Sequence, residues 1–399
     1  WFTPVHHIGI VGEFTPSTLP LIIQQHVSQG LTKLAPDGSA LPALAERWEA
    51  TDSGKTYVFY LRSDAKWQTG RPIVATDINY NIRSVQFSAL NPHALKVSLG
   101  AAYSPFPTLL AKPVFLSGLR GTGPYGVQKI QLNGDKVIRL RLAPLGDRIL
   151  PILEYAFYKT EAAAHTAFQL GDIDELDDVT SLNSLKGWGE VTITPHVKYN
   201  QIVALFFNVK EQELKERNFR QGLAYAIPDF SYERAVSPIS KTSWAYTDKI
   251  RQYKFDALQA KRLLGTTKIA SESGGLTLTT LPPYVETAQA IADSWTALGI
   301  HTQVRVENSV PSSFQVLLAA QELPPDPDQY PFWHSTQTQT NVTGYDTNVK
   351  IDKLLEDGRQ ELDQEQRKKI YADFQRRLVE DVPAVFLYYP QTYTVRRGK

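Results

Sequence analysis

The sequence predicts an α/β protein folded as two lobes, and two observations carry that expectation. Its 399 residues exceed what one hydrophobic core ordinarily serves, so two cores are expected, one for each lobe. Strand-like and helix-like patterns also recur in turn along the chain, a mixture that indicates α/β architecture.

Taken in order, Val5 to Val11 reads as a strand, Glu13-Phe14-Thr15-Pro16 as a turn, and Leu19 to Leu34 as a helix. Thr56 to Leu61 alternates as a strand does, and Asp77 to Phe87 reads as a helix capped by Thr76 or Asp77. Two β-rich runs within Tyr125 to Leu142 flank Asn133-Gly134, the pair favoured in a type I′ turn, which predicts a hairpin. Helical patterns follow at Glu161 to Leu170, Phe219 to Ala226 and Asp256 to Leu264, with strands at Ile202 to Asn208 and Leu276 to Thr280. Pro282-Pro283 precedes a helix from Glu286 to Leu298 that Gly299 ends, and a strand follows at His301 to Val306. Four prolines between Leu323 and Pro331 make that stretch a loop. Lys350 to Val379 carries two charged helices, and Ala384 to Val395 reads as a strand pair rich in tyrosine.

Composition excludes several classes of function. Lysine and arginine number 42 against 41 aspartates and glutamates, so no broad field favours nucleic acid or an anionic membrane surface. Cysteine is absent, which removes disulfides, thiolate metal sites and cysteine nucleophiles together. No run of about 18 apolar residues is present, so no segment is expected to span a membrane. A chain that starts at Trp1 and holds no methionine reads either as the mature part of a longer precursor or as one whose modified methionines are missing from the sequence.

The motifs that carry chemistry elsewhere have structural readings here. Gly121, Gly123 and Gly126 spell G-x-G-x-x-G, but Pro124 removes an amide that a pyrophosphate would need and the segment enters a hairpin, not a helix. Asp172, Asp174, Glu175, Asp177 and Asp178 lack the glycine and distal glutamate of a calcium loop, and read as a solvated helix end and the loop after it. His6 and His7 adjoin in a strand and point to opposite faces, so they do not chelate one ion easily. No His-Glu-x-x-His or Gly-x-Ser-x-Gly motif occurs. Asn341-Val342-Thr343 has glycosylation spacing by coincidence. No catalytic residue, metal site or cofactor is expected. The informative excess is aromatic, with 19 tyrosines and 7 tryptophans, rings suited to cleft walls that stack on a ligand. Trp48, Trp67, Tyr57 and Tyr125 read as core, whereas Trp244, Tyr246, Tyr330, Trp333 and Tyr345 lie in loop segments and are candidates for ligand contact.

Several separated segments, in a fixed order, carry a family resemblance. They are Gly30-Leu31-Thr32 with Asp37-Gly38; Leu41 to Trp48; Asp52-Ser53-Gly54-Lys55-Thr56-Tyr57; Lys66-Trp67-Gln68-Thr69-Gly70; and Ala75-Thr76-Asp77-Ile78. Gly121 to Tyr125, Phe168 to Asp174, Arg220 to Ile227, Gly344-Tyr345, Ile351 to Leu355, Arg367 to Tyr371 and Asp381 to Ala384 continue the series. Together they resemble the family 5 extracellular solute-binding proteins of ABC importers, which serve peptides, nickel and sugars.

That resemblance implies a two-lobed periplasmic-binding-protein fold of type II, oligopeptide-binding-like, with a cleft between lobes and hinge closure on ligand. It implies residues 1–207 and 388–399 in lobe 1, residues 208–387 in lobe 2, and crossings near 204–209 and 386–393. Glu13, Phe14 and Thr15 would face ligand from lobe 1, Asn208 would sit at a crossing, and Trp244, Tyr246, Tyr330, Trp333 and Tyr345 would approach from lobe 2. The implied partners are a peptide or other small solute and an ABC permease, for a monomeric, extracytoplasmic protein, periplasmic or at the cell surface through a lipid-anchored segment. A sensor subunit, a binder of sugar or metal chelate, and a hydrolase using cleft carboxylates are the alternatives. Two departures from the family stand out. The stretch between Asn81 and Lys96 is short, which implies a reduced extra domain, and Leu323, beside Glu322, stands where peptide binders place an amine-gripping carboxylate ahead of Asp326-Pro327.

Overall fold

The computed structural model describes residues 4–146, 149–182, 185–265 and 275–398. They form two compact units, one of residues up to Ala35, Ala40–Val197 and Gln391 onward, the other of Pro36–Ser39 and Lys198–Pro390. The first passage between units therefore falls at Val197 and Lys198, ahead of the expected 204–209, because the strand at 201–207 pairs wholly inside the second unit. The return passage falls at Pro390 and Gln391.

The first unit runs β1 (Val5–Val11), α1 (Leu21–Val27), β2 (Thr32–Leu34), β3 (Ala40–Pro42), β4 (Ala45–Thr51), β5 (Thr56–Leu61), β6 (Gln86–Asn91) and β7 (Ala94–Ser98). It continues through α2 (Phe106–Leu109), β8 (Tyr125–Asn133), β9 (Lys136–Pro144), β10 (Ile152–Tyr158), α3 (Glu161–Leu170), β11 (Glu175–Val179) and β12 (Val191–Val197). The second unit holds β13 (Gln201–Phe207), α4 (Arg217–Tyr225), α5 (Ala257–Gly265), β14 (Leu276–Thr280), α6 (Val285–Ala297), β15 (Thr302–Val306) and β16 (Val316–Glu322). It ends with α7 (Tyr330–Trp333), α8 (Val349–Gln360), α9 (Gln364–Asp381) and β17 (Ala384–Tyr388), before β18 (Gln391–Arg397) returns to the first unit.

Two larger sheets build the first unit. One is seven-stranded, in the order β12-β18-β11-β1-β10-β9-β8, with β1 parallel to both β10 and β11. The other is four-stranded and antiparallel, β4-β5-β7-β6, with a core of its own. Alternation along β5 sends Tyr57, Phe59 and Leu61 inward, where Trp67 and Phe106 meet them. The Trp67 indole N–H donates to Asp77 Oδ2 at 3.0 Å, and Asp77 also accepts from the Val74 amide and from Arg71. Burial pushes the Asp77 carboxyl upward, but those three donors outweigh it and hold it below its ordinary value. The tryptophan and aspartate of the landmark segments thus brace one fold.

The expected helix from Asp77 to Phe87 is instead a 3₁₀ turn at Ala75–Asp77, a loop, and β6. Asp77 spends its side chain on Trp67, and Asn81 and Ser84 adopt positive φ (50° and 63°), which interrupts any helix. The expected helix from Leu19 to Leu34 shortens to α1, with β2 following. Ser28 is extended, and Gly30 lies so near the Leu110 carbonyl that a Cβ there would stand 2.2 Å from its oxygen. The hairpin forms with Gly134 and Asp135 in the turn, one position beyond the expected pair, since Asn133 still pairs with Lys136. Of the acidic run, Asp172 and Asp174 are exposed in the loop after α3 as expected, but Glu175, Asp177 and Asp178 belong to β11, which lies between β1 and β18, with Glu175 on Arg396 at 2.7 Å and Asp177 accepting from Thr394 Oγ1.

The second unit is built on a five-stranded sheet, β15-β14-β16-β13-β17. Its centre is apolar on both faces: six consecutive residues of β13, Ile202 to Phe207, are buried. The sequence at Ala384 to Val395 does not form a strand pair, because β17 joins β13 in this sheet and β18 joins β11 and β12 in the other. Arg220 on α4 fastens the end of α9, donating from Nε to the Val382 carbonyl and from Nη2 to that of Asp381, at 2.8 and 2.6 Å. That contact accounts structurally for the landmark arginine.

Candidate functional site

The loop after β16 is held from beneath by two arginines. Asp326 accepts two hydrogen bonds from Arg367, at 2.7 and 2.9 Å, and Arg367 Nε donates to the Gly358 carbonyl at 2.9 Å. Burial opposes the Arg367 charge, but the Asp326 pairing outweighs it and raises the guanidinium pKa. Asp328 accepts from Arg359 Nε at 2.9 Å, and its Oδ1 accepts the Tyr330 amide. Both aspartates are engaged this way, and Leu323 ahead of them is buried. The neighbouring Glu322 is exposed and accepts from Gln201.

This anchored loop delivers α7 over one face of the sheet, and a cavity of about 290 Å³ lies between them. Leu317, Ala319 and Gln321, at every second position of β16, line it together with Phe206. Phe332 and Trp333 of α7 form a wall, and Thr340, Val342 and Thr343 contribute from the following segment. The lining carries no ionisable side chain. Small residues make the space: alanines stand at 319 and 320 where larger side chains would fill it. Gln321 is the unusual member, because its Nε2 is buried without a hydrogen-bond partner.

The expected contact residues are dispersed. Trp333 is 1% exposed to solvent, lines the cavity, and fixes its indole by donating to Gln329 Oε1 at 3.2 Å. Tyr330 sits between the Arg359 guanidinium and the His334 ring, each 4.0 Å from its centroid. Tyr345 is buried, with its hydroxyl donating to Asp381 and its carbonyl accepting from Asn341. Asn341 spends its side chain on that carbonyl and on Thr343, which gives the Asn-Val-Thr spacing a structural use. Trp244 packs against Arg367 and Tyr371, half-buried Tyr246 lies two residues on, and Asn208 donates to the Phe314 carbonyl. None of Tyr330, Tyr345, Trp244, Tyr246 or Asn208 lines the cavity. In the first unit, Phe14 packs edge-on to Phe157 and bridges Val137, Thr15 caps its own turn through Thr18, and Glu13 lies 3.9 Å from Lys159 at the surface.

Gln321, Ala319, Phe332 and Val342 were not expected from sequence. The only signal was a pair of alanines inside an apolar run, which reads equally as core.

Among the described residues no three histidines, aspartates or glutamates stand together as metal ligands, and no helix is long and apolar enough to cross a membrane.

A family model described as bacterial extracellular solute-binding proteins, family 5 Middle, matches residues 40–343. The chain is 27% identical to the nickel-binding periplasmic protein of Escherichia coli K12 over 254 residues, which cover 54% of this chain and 48% of that protein. It is 22% identical to the probable D,D-dipeptide-binding periplasmic protein DdpA of the same organism, over 86% of this chain and 78% of that one. It thus spans about half the length of the first relative and over three quarters of the second. In fold it is similar to NikZ from Campylobacter jejuni in complex with Ni(L-His), with a TM-score of 0.76, 23% identity, and 98% and 94% of the two chains covered. It is likewise similar to the substrate-binding protein CtaP from Listeria monocytogenes, with a TM-score of 0.82, 20% identity, and 99% and 94% covered. These solved structures share the periplasmic-binding-protein fold, and with residues 40–343 matched the chain belongs to the family 5 bacterial extracellular solute-binding proteins.

Proposed function

We propose that this chain is the extracytoplasmic solute-binding component of an ABC importer. It captures a peptide or peptide-like solute and hands it unaltered to the permease. The observation that carries this reading is the family match across residues 40–343, reinforced by relatives named as binding proteins for nickel and D,D-dipeptide. Capture proceeds by closure of the two units about the passages at Val197 and Pro390, which shifts the population toward a closed form that a permease can read. The binding surface on the second unit is the cavity between β16 and α7. Its size lies at the lower edge of small-molecule sites, and its wall holds the aromatic Trp333.

Native mass spectrometry of the purified protein, followed by thermal melting with a panel of peptides, sugars and nickel chelates, tests the proposal. A ligand at about 100 times its Kd stabilises the bound state by about 2.7 kcal/mol, so the melting temperature rises by several degrees with the ligand unaltered. A protein that carries no ligand and responds to none of the panel is not a solute receptor. Turnover of a panel member would favour a hydrolase.

A further inference from the structure

We infer that Glu233 is a positioning residue for capture: it clamps the second-unit ends of both passages to one loop, so that the joint moves only where the chain changes units. This rests on the solute-binding reading, in which capture needs such a joint. The geometry starts in the passages themselves. β12 pairs with β18 as far as Val197 and Gln391, and the next rung, from the Lys198 amide to the Pro390 carbonyl, measures 2.9 Å. At the crossing the joint is therefore a two-stranded ribbon. Two strands without further neighbours are marginally stable by themselves, so the ribbon bends wherever nothing braces it.

Glu233 meets both strands of that ribbon. Its Oε2 accepts the hydroxyl of Tyr199, just past the first passage, at 2.7 Å, and its carbonyl accepts the amide of Tyr389, just before the return passage, at 2.9 Å. Its Oε1 accepts from Lys241 Nζ, and the Lys241 amide donates to the Tyr389 hydroxyl at 2.8 Å. The two tyrosine rings meet edge-on with centroids 5.1 Å apart. The clamp is itself fixed to the second unit's sheet, because the Ala235 amide donates to the Leu387 carbonyl at 3.0 Å and Arg234 bridges Tyr388 of β17. An exposed ion pair such as Lys241 with Glu233 contributes little alone. The distinguishing feature is that one carboxylate and one carbonyl of the same residue hold both passages. Lys241 and the Tyr199 hydroxyl keep the Glu233 carboxyl below its ordinary value, so the acceptor is charged at neutral pH and its bond to Tyr199 is of the stronger, charge-assisted kind.

The test needs no ligand. Hydrogen exchange is followed at the Lys198 and Tyr389 amides of the full chain. Nitroxides at Asp135→Cys and Glu365→Cys, the only thiols in a chain without cysteine, report the spread of distances between the units by pulsed electron spin resonance. Tyr199→Phe and Glu233→Leu are each expected to speed exchange at both amides by at least about tenfold, the worth of one hydrogen bond, and to broaden the distance distribution. Glu233→Gln, which keeps an oxygen for the Tyr199 hydroxyl, restores most of the protection. Tyr199→Phe combined with Glu233→Leu goes no further than Glu233→Leu alone, because both remove one shared contact. Thermal melts show which variants are folded, and Tyr199→Phe decides the matter if Glu233→Leu is not. Unaltered exchange or an unaltered distribution in folded Tyr199→Phe, or additive effects in the double variant, overturns the clamp and leaves the solute-binding reading standing. That reading falls on its own measurement, a purified protein that carries no solute and responds to none.

Discussion

Arg367 of α9 closes on Asp326 of the proline-rich loop through two hydrogen bonds of 2.7 and 2.9 Å, with each side chain only 7% exposed. The pair joins the loop that carries α7 to the helix beneath it, so the position of the cavity wall depends on two charges kept out of water. Breaking one partner of such a pair strands the other and costs about 3–5 kcal/mol. Arg367→Met is therefore expected to lower the stability of the second unit by that amount in urea denaturation. Arg367→Met combined with Asp326→Leu should be less costly than the single change, because no charge is left unpaired. A single variant that unfolds within about 1 kcal/mol of the parent shows that the pair contributes no such tie.

Asp77 provides a pH-dependent counterpart in the first unit. Its carboxyl is held below its ordinary value because the Trp67, Val74 and Arg71 donors outweigh its burial. A depressed folded pKa means the carboxylate stabilises the fold fully above the unfolded value of about 3.9 and ceases to do so as pH falls through the folded value. Relative to Asp77→Asn, the parent should be the more stable at neutral pH and should lose that advantage on acidification below pH ~4. Parallel melts from pH 7 to pH 2 read this directly. A constant difference across the range removes Asp77 from the account.

Legibility in the sequence followed the range of the interactions. Helix α3 was visible to its last residue because its signals are local: Thr160 caps the Ala163 amide and Gly171 closes the end in the left-handed region. Strand β5 was visible because its alternation matches a sheet with one buried face. The 77–87 segment misled because its apparent N-cap, Asp77, is bonded to Trp67 ten residues back in sequence. The two strands at the C-terminal end were seen, but nothing local tells that β17 and β18 enter different sheets. Of the cavity lining, aromatic Trp333 was a candidate by residue type, whereas Gln321 was not. Gln321 joins Trp333 at one cavity only when β16, α7 and the segment after it are brought together.

Trp333 and Tyr345, equivalent candidates by sequence, should separate in the laboratory. Trp333 lines the cavity, whereas Tyr345 directs its hydroxyl to Asp381, which also accepts from Asn348 at 2.9 Å. Tyr345→Phe is expected to cost about 1.5–3 kcal/mol of stability, the loss of a hydrogen bond to a charged group, with ligand affinity unchanged. Trp333→Phe should change affinity as well as stability, since it reshapes a wall of the cavity proposed to receive the solute. Calorimetric titration of both variants distinguishes the roles, and a loss of affinity in Tyr345→Phe beyond what its melting curve explains would return that residue to the site.

Gly121 shows why the nucleotide-like spacing has a packing origin. A Cβ at that position would lie 2.1 Å from the Val27 carbonyl oxygen and 2.5 Å from the Ser28 Cβ, where the chain leaves α1. The Gly121 amide also donates to Gln68 Oε1, while Gln68 Nε2 reaches the carbonyls of Val27, Gly123 and Tyr125. Gly121→Ala must push backbone against backbone, which is expected to cost about 1–3 kcal/mol as overpacking does. Gly100, with open space around it, is the control: its alanine variant should be neutral or more stable by up to about 1 kcal/mol, through reduced freedom of the unfolded chain. The turn needs its glycine for a close approach to α1, so NAD should leave the melting temperature of the parent unmoved. A shift with the dinucleotide, or equal stability of the two alanine variants, would assign the glycines a role other than packing.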